Sequence, residues 1–577
     1  MGKLLKYVKG WAIVFAILAP LMMLLEVSMD LMQPTLLADI IDNGVASGDV
    51  NYIVSVGFKM IIIAILGLIG GASCTAFATL AAMKTGENLR ESLFSKIQNL
   101  SFSEIDKFKT SSLITRVTND VTQVQQMMMM GLKIMVRAPL ICIGGMIMAS
   151  ILSPKLSIIF LIIIPIIVVI VALVLIKSFP MFKVMQEKID NVNMVMRENL
   201  LGIRVIKAFT MEEKQYSRFE DANNELMDRS IKAQNVTMFL MPIVSLIMNL
   251  SVVAILWFGG YLANGGLIDT GKIMAFINYL IQILSSLMMM VMIVVNFSRA
   301  KASADRINEV LNEESSIKEI NETESLDSYS IEFKNVFFKY YESSEYVLED
   351  ISFKVNQGER VGIIGSTGSG KSSLISLIPR FYDATSGDIT IGGKNVKHLN
   401  IKELRENIGV VLQENILFQG TIEDNLKFGN REASKDMIEK AVKDAQAIEF
   451  ISKKDKGYES EVEQRGKNLS GGQKQRLSIA RTLIRKPKVL ILDDSSSALD
   501  MTTEGKLSKA IKTEMKGTTL FIIAQRISSV MDLDKIIVLD DGRISGIGTH
   551  NELLKNNEIY RSIAISQLGE EVTLDGK

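Results

Sequence analysis

Over the first 300 residues the hydrophobic positions come in long unbroken runs such as VFAILAPLMMLL and IIFLIIIPIIVVIVALVLI. A helix needs about 20 apolar residues to cross a bilayer core. Six segments meet that length: Trp11–Met32, Tyr52–Met83, Lys133–Ser153, Leu156–Ile176, Val236–Leu262 and Ile273–Val295. Between the second and third, and again between the fourth and fifth, residues 85–126 and 185–233 keep a helical pattern but turn polar. Each stretch predicts two membrane helices that run on into water and reverse at a short tip, near 104–111 and 208–216. The amphipathic NFSRAKASADRINEVLNE closes the apolar part, and residues 313–329 read as an acidic linker. From Ile331 short β-branched runs alternate with helical patterns. The predicted architecture is an all-α six-helix transmembrane domain over 1–312, the linker 313–329, and an α/β domain over 330–577.

Charge sets the orientation. Residues 33–51 carry no Lys or Arg, whereas the connections after the second and fourth runs are rich in both. Positive charge stays on the cytoplasmic side, so both termini and the α/β domain are expected in the cytoplasm of a multi-pass protein of the cell membrane. Lys3, Lys6 and Lys9 resemble the start of a signal peptide, but the run Trp11–Met32 is too long and has no small-residue cleavage site at its end. It reads as a retained helix. The 64 basic and 64 acidic residues balance, which removes any whole-chain case for nucleic-acid binding. Two cysteines, Cys74 and Cys142, lie inside apolar runs, and two histidines, His398 and His550, complete the usual metal-ligating types. They form neither a disulfide framework nor a His/Cys metal centre.

The chemistry begins at Gly365-Ser366-Thr367-Gly368-Ser369-Gly370-Lys371-Ser372, which fits G-x-x-x-x-G-K-[ST] between a strand-like RVGII and a helical SSLISLIPRF. The glycines let backbone N–H groups converge on phosphates, Lys371 reaches the β- and γ-phosphates, and Ser372 faces Mg²⁺. The helix that follows adds its positive dipole end, with Ser373 in its first turn. Downstream, VLILD ends an apolar run on Asp493, as the Mg²⁺-holding strand of such a site does. ATP and Mg²⁺ are the expected cofactors.

Between these elements stands Leu469-Ser470-Gly471-Gly472-Gln473, and here the chain resembles the ATP-binding-cassette exporters. LSGGQ is the signature of that family, and KQRLSIARTLIRKP resembles the helix behind it. The resemblance extends to Ser497-Ala498-Leu499-Asp500 as the D-loop, Gln413 as the Q-loop residue, and Tyr340 as the aromatic that stacks on adenine. Residues 461–466, EVEQRG, resemble the exporter loop that contacts the membrane domain. SSLITRVTNDV and RENLLGIRVIKAF resemble its cytoplasmic helices. Six spans before the cassette match a half-transporter. In the family, two cassettes meet head to tail, and each ATP lies between one P-loop and the opposite signature. The resemblance therefore implies a second half-transporter subunit, with Ser470, Gly471, Gly472 and Gln473 facing the nucleotide on the partner's P-loop.

Two positions depart from the family pattern. After Asp493 the family places Glu, which orients or deprotonates the attacking water; here stands Asp494. In the switch loop the family places His; here FIIAQRISS has Gln525, which can hydrogen-bond but cannot carry an imidazolium charge. Both departures fall on the site built on this chain's own P-loop, while the signature is intact. The resemblance then narrows to heterodimeric exporters with one degenerate and one consensus site. Two alternatives are a weakly hydrolysing homodimer and a nucleotide-gated, channel-like protein.

Of 32 methionines, 28 lie before residue 300, clustered at Met127–Met130 and at Met288–Met290 with Met292. Methionine surfaces adapt to varied apolar ligands, although packing uses them as well. Glu26 and Asp30 are carboxylates late in the first span, and Glu26 is a candidate for the translocation path. The expected partners are the lipid bilayer and an amphipathic cargo, with drugs, peptides and lipids all open.

Overall fold

The computed structural model describes residues 2–318, 326–340, 343, 345–495 and 499–569. Part of the linker, Ser497 and Ala498 of the expected D-loop, and the side chain of Met292 lie outside the described residues. The chain divides into two compact units: Met1–Ile97 with Ser111–Asn312, and Gln98–Thr110 with Glu313–Lys577. The short segment 98–110 thus packs with the second unit.

The membrane part is helical throughout. Its helices are α1 (Trp11–Asp39), α2 (Val50–Gln98), α3 (Phe102–Phe108), α4 (Thr110–Thr115), α5 (Val121–Leu152), α6 (Pro154–Leu201), α7 (Ile203–Ala208), α8 (Glu212–Met238), α9 (Leu240–Asn264) and α10 (Thr270–Asn312). Six stretches among the described residues are long and apolar enough to cross a membrane, and each overlaps one of the six predicted runs. At 1.5 Å per residue, the 49 residues of α2 extend about 70 Å, more than twice the ~30 Å hydrocarbon core. Half of the helix must therefore project beyond the bilayer, and α6, with 48 residues, does the same. Large apolar side chains such as Leu161, 73% exposed, point outward from these spans, where lipid is the solvent.

The expected reversals are present as short helices. α3 follows the end of α2, with Ser101 and Glu104 forming a reciprocal capping box at its start. The second reversal runs through Gly202, α7 and Phe209–Met211, so it begins a few residues before the predicted 208–216. The cause is Gly202, whose weak helix propensity ends α6 ahead of the charged stretch. A π-turn at Arg116–Asp120 separates α4 from α5. Arg306 on α10 donates to both oxygens of the buried Asp120 at 2.8 and 2.5 Å, tying α10 to the start of α5.

Among the described residues the second unit holds three sheets. The strands are β1 (Ile331–Phe338), β2 (Leu348–Val355), β3 (Arg360–Gly365), β4 (Ser386–Ile391), β5 (Lys394–Asn395), β6 (Ile408–Val411), β7 (Gly420–Thr421), β8 (Glu461–Val462), β9 (Val489–Asp493), β10 (Thr519–Ile523), β11 (Lys535–Asp540) and β12 (Arg543–Gly548). The large sheet has the order β12-β11-β3-β10-β9-β6, and β11, β3, β10, β9 and β6 are mutually parallel. Every residue of β9 is buried, as expected for a central strand covered on both faces. The antiparallel sheet β2-β1-β4-β5 shares a core with α11 (Lys371–Ser376). α12 (Ile401–Asn407) adds Leu404 to that core, and a second core packs α13 (Ile422–Lys427), α14 (Lys435–Asp444), α15 (Ile448–Ser452), α16 (Gly471–Leu483) and α17 (Met501–Glu514) against β9.

Candidate functional site

Strand order alone brings the nucleotide-site candidates together. Ile363 of β3 pairs with Ile523 of β10, which pairs with Asp493 of β9. Leu492 pairs with Val411 at the end of β6. Gly365, Asp494, Gln525 and Gln413 therefore all lie within two residues beyond one row at the carboxyl edge of a parallel sheet. Open α/β sheets bind ligands at that edge.

The loop after β3 is shaped by its glycines. A Cβ on Gly365 would run into the Leu539 carbonyl, and Gly370 turns the chain into α11 at φ +91°, a conformation glycine adopts without strain. Ser366, Thr367 and Gly368 form an exposed rim, and a Cβ on Gly368 would meet open space. Lys371 is buried, and its ammonium donates to the carbonyls of Gly365 at 2.9 Å and Ser366 at 2.6 Å. Burial holds its pKa below the usual lysine range, against the opposing pull of Asp493 and Asp494. Ser369 is buried at the centre of the loop, and its hydroxyl has no hydrogen-bond partner among the described residues. Such an orphan costs free energy unless a ligand or water meets it. Together with the open rim, it fits a phosphate group seated in the loop.

Ser372 donates its hydroxyl to Asp493 at 3.1 Å. A hydroxyl and a carboxylate are the oxygen donors that a hard divalent cation takes. Asp493 is 4% exposed, and burial lifts its pKa above the ordinary aspartate range; the Ser372 hydrogen bond opposes this. Mg²⁺ fits this pair, with Gln413 exposed just past β6 as a further oxygen donor.

The two departures from the family pattern meet each other. Gln525 donates its side-chain amide to Asp494 at 3.0 Å. Asp494 sits at φ +46°, a left-handed conformation that is strained for a residue with a Cβ. Burial raises its carboxyl pKa, and the Gln525 bond works the other way.

Tyr340 lies at the rim of the same loop, its hydroxyl 2.9 Å from that of Ser373. The signature is elsewhere in the unit, at the start of α16. Ser470 caps that helix: its hydroxyl accepts from Gln473 N at 3.3 Å, and the Gln473 side-chain oxygen accepts from Ser470 N at 3.0 Å. Ser470 and Gly471 are exposed and Gly472 is half-exposed, so the N-terminal N–H groups of α16 face outward. The described residues therefore assemble one candidate site for a phosphate and a cation and, apart from it, one helix terminus presented to solvent.

Three residues that the sequence reading did not single out join this picture. Gln475, buried behind the signature, donates to the Asp494 carbonyl at 3.3 Å. Tyr382 lies beside Tyr340. In the membrane unit, Arg137 on α5 pairs with both Glu26 and Asp30 on α1, the latter at 3.0 Å. An arginine opposite two membrane carboxylates was the available signal for that cluster.

Comparison with known proteins matches both parts of the chain to one family. Residues 16–287 match the family described as ABC transporter transmembrane region, and residues 348–497 match the family described as ABC transporter. The chain is 42% identical over 571 residues to the ABC transporter ATP-binding protein YfiB of Bacillus subtilis (strain 168), itself uncharacterized, with 99% of both chains covered. It is 33% identical over 490 residues to YgaD of the same organism, an ATP-binding/permease protein named for multidrug export, with 84% of each covered. Among solved structures, a bacterial Atm1-family ABC exporter with ATP bound superposes with a TM-score of 0.80 at 25% identity, covering 97% of this chain and 98% of that one.

Proposed function

We propose, from the premise that this chain belongs to the ABC transporter family and is built as an ABC exporter, that it is the slow half of a two-site machine. ATP-driven transport across the membrane is the general activity of the fold. In our reading the chain's own site binds ATP but turns it over poorly, and its signature completes the productive site on the P-loop of a different half-transporter.

The observation that carries this reading is the hydrogen bond between Gln525 and Asp494. A water-orienting carboxylate must reach the attacking water. Asp494 is one methylene shorter than Glu, a difference of about 1 Å, and misplacement on that scale can cost roughly 10²-fold in rate. Its carboxylate is also engaged by an amide that donates hydrogen bonds without supplying positive charge. Neither defect touches nucleotide binding. Lys371 and the loop N–H groups hold phosphate, Tyr340 offers its ring to adenine, and Ser372, Asp493 and Gln413 hold Mg²⁺. When bound, Mg²⁺ supplies neutralisation of charge on the phosphate oxygens.

Apart from that site, Ser470, Gly471, Gly472 and Gln473 carry an exposed hydroxyl and N–H groups at a helix terminus, which suits the γ-phosphate of a partner's nucleotide. The cargo in this reading is an amphipathic drug, peptide or lipid, in keeping with the multidrug export for which YgaD is named. The test is ATPase activity of the chain purified alone against that of the chain with its partner. Low turnover alone and high turnover together support the proposal, and robust turnover by the chain alone contradicts it.

A further inference from the structure

An unbroken path of contacts runs from the nucleotide loop to the tip helix α3, all of it inside the second unit. At one end the Tyr340 hydroxyl lies 2.9 Å from Ser373 in the first turn of α11. The Tyr340 ring meets the Tyr382 ring edge-on, with centroids 5.3 Å apart and an interplanar angle of 89°. Phe338 packs against both rings, at 4.9 and 5.6 Å, so neither can move without displacing a common neighbour. At the other end Tyr382 donates its hydroxyl to the Asp106 carboxylate of α3 at 2.5 Å. Phe102, in the first turn of α3, packs its ring at a tilt against the adjacent Phe381, with centroids 4.6 Å apart.

α3 is held on its other side too. The Glu104 carboxylate accepts from Ser316 N at 3.1 Å and Ser101 N at 2.9 Å, and Lys107 pairs with Glu313 at 2.7 Å. The seven-residue helix is thus clamped between the start of the linker and the aromatic pair Phe381–Tyr382. It is also the segment that joins α2 to α4 in the chain.

We infer that Tyr382 is a positioning residue that couples occupancy of the Tyr340 platform to the order of α3, through its hydrogen bond to Asp106. The inference rests on the reading of Tyr340 as the ring that receives adenine. A base stacked on Tyr340 fixes that ring, and the edge-on contact then fixes Tyr382, since aromatic pairs have a preferred geometry. A hydroxyl bonded to a carboxylate is a short, charge-assisted bond that demands its geometry in turn. Burial and the neighbouring Asp106 hold the Tyr382 hydroxyl well above the usual tyrosine range, so it remains a donor at all working pH values.

The test is hydrogen exchange of the full-length chain in lipid nanodiscs, with and without a non-hydrolysable ATP analogue and Mg²⁺, read on peptides covering 98–110. In the wild-type chain nucleotide should slow exchange there at least threefold. Tyr382→Phe keeps the ring and removes only the hydroxyl. It should bind nucleotide within twofold of wild type and lose the nucleotide-dependent slowing, and Asp106→Asn should behave alike. A residue that merely supports the fold would speed exchange equally with and without nucleotide, leaving the ratio intact. That outcome, or wild-type slowing in both variants, overturns the proposal. Tyr340→Ala tests the underlying reading separately: unchanged nucleotide affinity in that variant would remove the platform itself.

Discussion

Gln525 on the switch loop donates its side-chain amide to the carboxylate of Asp494 at 3.0 Å, across the ends of two adjacent parallel strands. Each residue departs from the exporter pattern, and each departure occupies the other. Asp494→Glu alone should therefore raise turnover at this chain's own site only roughly threefold or less. Asp494→Glu with Gln525→His should exceed the product of the two single effects, because residues in contact do not act additively. Steady-state ATPase of the four chains decides this, and strict additivity would argue that the pair is incidental.

The second tip presents an apolar residue to water. Phe209 is 70% exposed in a turn rich in charged neighbours. We propose that Phe209 anchors this tip on the opposite cassette. Phe209→Ala should leave folding and ATPase largely intact but lower transport per ATP by about tenfold, an effect near 1.4 kcal/mol. Transport per ATP that stays at the wild-type value would remove this role.

Arg137 holds two carboxylates at once on α1. Removing the cation leaves the partly buried Glu26 and Asp30 without it in a largely apolar setting, which should destabilise the bundle. Arg137→Ala should lower the thermal midpoint, and Glu26→Gln with Asp30→Asn in that background should recover most of the loss. No recovery in the triple variant would mean that Arg137 stabilises the bundle through packing.

Burial holds Asp493 above the ordinary aspartate range. A group whose folded pKa is raised contributes stability that is full below its unfolded pKa and is lost as pH rises through the folded value. The nucleotide-free cassette should therefore lose stability as pH climbs from about 4 through that raised value. Asp493→Asn should flatten this part of the profile and abolish stabilisation by Mg²⁺ with nucleotide. A profile unchanged by Asp493→Asn would place the pH dependence on other groups.

What could be read in advance follows from range along the chain. The six spans and the phosphate loop are contiguous signals, because apolar length and glycine spacing act locally. Asp494 and Gln525 were legible as departures, but their mutual bond depends on β10 lying beside β9, which no local pattern specifies. Tyr382 and Asp106 are 276 positions apart and Arg137 and Glu26 are 111 apart, so each pair exists only once the helices and strands have packed. The early start of the second reversal turned on one glycine, Gly202, inside a run that otherwise reads as helix.

The central claim is the division of labour between two ATP sites, and damage to each site tests it most directly. The measurement is ATPase activity of the chain paired with its wild-type partner, carrying either Gly472→Asp or Lys371→Ala. Gly472 stands in the exposed signature, where a new carboxylate would oppose a γ-phosphate. Lys371 stands in the chain's own phosphate loop. The account predicts that Gly472→Asp abolishes most hydrolysis, by roughly 10²-fold, whereas Lys371→Ala weakens nucleotide retention yet leaves a substantial part of the turnover. Equal loss in both variants, with nucleotide still bound at both sites, would contradict it.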